Sequence, residues 1–248
     1  MRRMASIWLA LTLAVPLLTF GMAEGQTNPN EREVRTLPSA VDKKGEVWGL
    51  DFRFKDPRLI KVNVPGRGTR ICWYMWYQVI NRTTEPRRFL PSFELVTHDY
   101  PGVYHDEVLP TVEEAIRKVE DPTGYLNIKN SVNIGKDPIP VSKPADEAFP
   151  KIITGVAIWD GSNADPSKRD PNVKDLSDAT RFTIYVRGLS NGFVLVDPPA
   201  PGLPPITRYK TLQLNFRRTG DRLSADSRDI SFVPPAEWIY RAAGRNKL

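Results

Sequence analysis

Along most of the chain, apolar and polar residues alternate in short segments, the period that sends side chains to opposite faces of a strand. The densest segment is Ile71 to Asn81, ICWYMWYQVIN. Ile71, Trp73, Met75, Tyr77 and Val79 share one face; Cys72, Tyr74, Trp76, Gln78 and Ile80 share the other. Both sets are largely apolar, which predicts a strand covered on both sides. One face belongs on a sandwich core and the other under a loop or helix. Were the second face open instead, Tyr74 and Trp76 would make an aromatic platform for a sugar or peptide. They are the candidate ligand-binding residues.

Further strands are predicted over Val47–Lys55, Leu59–Val64, Arg87–Thr97, Lys151–Trp159, Arg181–Gly188, Phe193–Val196, Tyr209–Phe216 and Asp229–Val233. Pro91 marks an edge or a bulge in the third of these. Tyr125–Ile134 reads as a short hairpin and Pro235–Ala243 as a terminal helical turn. The one helix is Thr111–Glu120, with Thr111 as its cap, acids in its first turn and Arg117 and Lys118 in its last. Its apolar stripe is Val112, Ala115, Ile116 and Val119. His98–Pro110 is an irregular segment, Asp160–Ala179 a polar loop, and Asp197–Pro205 an extended loop with five prolines. Many short strands, turn prolines and one helix give an all-β sandwich with a helical insertion near residues 110–120. One domain spans residues 46–248, after a flexible polar leader at residues 24–45.

Arg2 and Arg3, an apolar stretch from Ile7 to Leu18, and Gly21-Met22-Ala23 form a secretory signal peptide over residues 1–23. The apolar stretch is shorter than the roughly 20 residues needed to span a bilayer. The expectation is a cleaved, exported protein, periplasmic or extracellular, with no membrane span. The +6 of the full chain, less Arg2 and Arg3, leaves +4, without a basic cluster. Nucleic acid is therefore not an expected partner. Cys72 is the single cysteine, so the chain forms no internal disulfide, and its place in an apolar strand marks it as buried.

Chemistry is sparse. The two histidines, His98 and His105, lie in one segment with Asp99, Asp106 and Glu107. Imidazole and carboxylate donors are zinc-type ligands, and His98, His105 and Asp106 are the candidate metal ligands of a metal-dependent hydrolase. Asp160, Asp165, Asp170, Asp175 and Asp178 offer oxygen ligands for calcium, but without EF-hand spacing. No nucleophile elbow, P-loop or dinucleotide fingerprint occurs, so no catalytic residues and no cofactor are assigned. Asn81-Arg82-Thr83 is a glycosylation sequon.

Tyr74–Val96 (YMWYQVINRTTEPRRFLPSFELV) runs from a strand ending in Asn through a polar turn to a strand reaching F-E-L. This resembles bacterial extracytoplasmic immunoglobulin-like domains. KIITGVAIWD followed by ATRFTIYVRGLS is similar to their penultimate hairpin. The resemblance implies an immunoglobulin-like β-sandwich. EDPTGYLNIKNSV and DISFVPPAEWIYR also resemble uncharacterised secreted proteins of planctomycete-type bacteria, which bring no assigned activity. The expected function is that of a non-catalytic envelope protein binding another protein or a cell-surface polymer. The oligomeric state is left open.

Overall fold

The computed structural model describes residues 30–36, 47–146, 148–170, 172–198, 200, 202–220 and 229–242. The signal peptide at residues 1–23 lies outside them. Two antiparallel sheets face one another across an aromatic core, and a helix covers the far side of the first. The first sheet holds β1 (Glu31–Val34), β2 (Asp51–Lys55), β3 (Arg58–Val64), β4 (Gly68–Ile80) and β7 (Ile152–Asn163). The second holds β5 (Ser92–Thr97), β6 (Gly102–His105), β8 (Arg181–Arg187), β9 (Phe193–Val196), β10 (Ile206–Arg218) and β11 (Ile230–Ala242). An all-β sandwich with one inserted helix, α1 (Pro110–Glu120), is the observed fold.

β4 organises the first sheet. β2 and β3 lie in tandem along one of its edges, and β7 pairs along the whole of the other. Its odd-numbered side chains enter the main core. There the Tyr77 ring lies 4.8 Å from Phe93 and 5.4 Å from Phe52, and the Trp73 ring 5.2 Å from Phe182. Its even-numbered side chains Cys72, Tyr74 and Trp76 pack with Val112 and Ile116 of α1 in a second, smaller core. The two-sided burial read from the alternation is the arrangement found.

An ionic cluster pins the helix. Glu120, with its side chain only 3% exposed, accepts from Arg58 Nη1 at 2.7 Å and from the Tyr74 hydroxyl at 2.9 Å. Lys55 Nζ lies 3.3 Å from the same carboxylate and 4.2 Å from the Trp76 ring centre. The helix begins a residue earlier than predicted. Leu109 takes the cap position without a side-chain bond and Pro110 the first turn, because proline's fixed φ is already helical. Val119 is 60% exposed, whereas Glu113 is buried against Asn130 and Arg117.

Other segments differ from the pattern. Residues 31–34, assigned to the leader, form β1, whose Val34 packs against the main core and whose other side chains are held by charge. Glu33 bonds Arg53 and Arg82, and Arg32 bonds Asp56. Gly102–His105 is a strand, while Tyr125–Ile134 forms turns and one bridge rather than a hairpin. β5 starts only after Pro91. β11 continues through Pro234 and Pro235 to Ala242, replacing the predicted helical turn. Among the described residues it pairs only with β10, so its prolines sit on an edge strand, where a missing N–H leaves no ladder partner unsatisfied.

Candidate functional site

The helix covers the outer face of the first sheet. No helix or sheet layer covers the outer face of the second among the described residues. Phe93, Leu95, Phe182, Ile184, Val186, Leu212, Leu214 and Phe216 point into the core, so the alternate positions point out. Across the ladder this brings Glu94, Tyr185 and His105 into one row, with Arg187 and Thr211 in the next. They line a cleft of about 460 Å³ with Asp106 and Arg241.

Two arginine–tyrosine stacks set the chemistry of the cleft. The Arg241 guanidinium lies 4.1 Å over the Tyr185 ring and is ion-paired with Glu94, which is itself buried. Arg187 lies 5.4 Å over the Tyr209 ring. No carboxylate pairs with Arg187 among the described residues, so its fork of donors faces the cleft. Burial pushes the Asp106 carboxyl up, against hydrogen bonds from Ser131 and from backbone amides and the charge of His105. One of its oxygens accepts from the Phe93 amide at 3.3 Å. Both acids of the cleft are thus engaged by the protein itself.

The candidate metal ligands do not converge. His105 stands opposite Glu94, four residues along β5 from His98. At about 3.3 Å per residue the two are roughly 13 Å apart along the strand, beyond the reach of one ion with bonds near 2 Å. His98 Nε2 lies 2.7 Å from Thr183 Oγ1, which donates to Asn215 Oδ1 at 2.8 Å. The imidazole must therefore donate, and that nitrogen has no lone pair to offer. The aspartates of the 160–178 segment are also engaged. Asp160 lies in β7 and pairs with Arg67 and Arg70; Asp165, Asp170 and Asp175 accept from nearby residues of their own turns. No group of three metal-ligating side chains occurs among the described residues.

Tyr74 and Trp76 are each 3% exposed beneath α1. An open platform is excluded because Val112, Ile116 and the Glu120 cluster occupy that face. Cys72, in the same layer, has its thiol pushed up to about 12 by burial first and then by Asp160 and Glu107, against Arg70 and Arg67. A maleimide at pH 7.5 is expected to leave it unmodified in the native protein and to label it fully in urea. Labelling at equal rates in both states would contradict its placement.

At the far end of β5, burial pushes the Asp99 carboxyl up, but bonds from the Arg181 and Thr180 amides, the Thr180 hydroxyl and the Arg181 side chain outweigh it. They hold it at about 2. A carboxyl depressed in the fold adds stability above its unfolded value near 3.8, and that share is lost as pH falls through about 2. Asp99→Asn is therefore expected to flatten the fall in stability between pH 4 and pH 2 in acid-unfolding curves.

No family model matches the chain, and no curated protein and no solved structure matches it. The cleft residues missed in the sequence, Glu94, Tyr185, Arg187 and Arg241, carry no shared spacing. Strand alternation, once inner faces were assigned, was the only signal that could have placed them on one surface.

Proposed function

We propose that this is an exported, non-catalytic binding protein of the cell envelope. On this reading the cleft on the second sheet receives an acidic group of a protein partner or cell-surface polymer. The observation that carries it is Arg187, stacked on Tyr209 and presented to the cleft without a carboxylate partner among the described residues. A guanidinium held flat against a ring is positioned in advance for bidentate contact with a carboxylate. Tyr185 lines the cleft beside it, while the Thr211 hydroxyl is taken up by the Tyr209 carbonyl at 2.9 Å. Arg241 is neutralised by Glu94, so of the two arginines lining the cleft Arg187 alone lacks a carboxylate among the described residues. Export is supported by the N-terminal sequence pattern alone.

The test uses polyglutamate as a carboxylate probe. Binding to the wild-type protein is expected at low ionic strength and should weaken as salt screens it. Arg187→Ala should lower the affinity at least tenfold, with unfolding unchanged. Equal binding by wild type and variant, or none by either, would remove the reading.

A further inference from the structure

We infer that the partner is an extended protein segment carrying a carboxylate next to apolar side chains, lying from the cleft onto the ribbon formed by β9 and β10. This rests on the anion-binding reading of the cleft. Tyr209, the ring beneath Arg187, is paired across the ladder with Phe193 and so shares its face. Leu195, two residues on, shares it too. Phe193 is 58% and Leu195 63% exposed, and Tyr209 is exposed beside them. An apolar strip thus begins where the cleft's unpaired cation ends.

The ladder sets its length. Arg187 pairs with Thr211 and Leu195 with Thr207, four residues apart on β10. At about 3.3 Å per residue that is roughly 13 Å, the length of a four-residue extended peptide. Neither strand of the ribbon carries an acid (FVLV and ITRY), and the acid that follows β9, Asp197, lies at the end away from Arg187. Charge selects the occupant. An acidic side chain meets Arg187, and its neighbours cover Phe193 and Leu195.

The aliphatic member decides for protein over polymer. Sugars stack on aromatic faces, and Leu195 offers none. Arginine and aromatic side chains at one patch are the enriched composition of a protein–protein contact, and Leu195 extends its apolar area. Two neighbouring anchors on one strand face also match a partner that presents alternate side chains in extended form.

The experiment is selection from a phage library of random 12-residue peptides against the intact protein, with polyglutamate and polygalacturonate as parallel probes. Enriched peptides should share an Asp or Glu beside aliphatic or aromatic residues. Their affinity should fall at least tenfold in both Arg187→Ala and Leu195→Ser. Leu195 is exposed, so its variant should melt as the wild type does. Enriched peptides without an acid, or indifferent to Leu195→Ser, would overturn the inference. So would Arg187-dependent binding of polyglutamate or polygalacturonate with no peptide enriched, an outcome that leaves the cleft's anion preference standing. Failure of every probe would remove both.

Discussion

Replacing Glu120 with alanine is expected to cost the fold about 3–5 kcal/mol, the range for breaking a buried ion pair from one side. The carboxylate serves three partners at once, and two of them are held in place beneath the helix. Lys55, 12% exposed and against the Trp76 ring, would keep only the longer contact to Glu31 at 3.7 Å, and the Tyr74 hydroxyl would lose its acceptor. Arg58 is more open and can turn to solvent. Glu120→Gln keeps the shape and one acceptor and should cost less. Urea unfolding followed by tryptophan fluorescence measures both. A loss under 1 kcal/mol in the alanine variant would mean that α1 is held by its apolar stripe alone.

Gly155→Ala should cost about 1–3 kcal/mol by overpacking. Gly155 lies opposite Tyr77 across the β4–β7 ladder, and a Cβ there would come within 2.5 Å of the tyrosine ring. The ring cannot retreat, because Phe52, Phe89 and Phe93 close around it. The glycine is required by the space that the aromatic side chain fills. Tyr77→Phe alone should be nearly neutral, since the hydroxyl is buried without a hydrogen-bond partner among the described residues. Combined with Gly155→Ala it should recover part of the loss, and a double-mutant cycle reads that coupling. Strict additivity would show that the two side chains do not meet.

These two sites show how much of the architecture was legible. Ile71–Ile80 announced a strand buried on both faces because both of its alternating sets are apolar, and the amphipathic stripe of α1 supplied the cover. The strands with polar or proline-bearing sequences were hidden. β1 (EREV) is held by ion pairs to Arg53 and Arg82, groups some 20 and 49 residues away, which no local pattern displays. β11 keeps its pairing through two prolines because it is an edge, and edge position is a property of the sheet rather than of the segment.

The site was less legible still. Histidines and aspartates drew attention in the 98–107 segment because they are near in sequence, yet the ladder sets His98 and His105 apart. Tyr74 and Trp76 lie on the face expected under a loop or helix, and α1 closes off the alternative of an open platform. The cleft draws instead on residues from five strands, with Arg241 and Glu94 separated by 147 positions. Alternation assigns each to an outward face, but only sheet order makes those faces one surface. The cation–ring stacks then follow from register.

On the proposed reading, function lies on the uncovered face of the second sheet, and the helix side of the first is structural. The direct test is photo-cross-linking in native cells, with a photoreactive amino acid at Thr207 on the ribbon or at Lys118 on the exposed side of α1. Cross-links to a defined partner from Thr207, lost on Arg187→Ala and absent from Lys118, are the predicted result. Partner cross-links from Lys118 with none from Thr207 would contradict it.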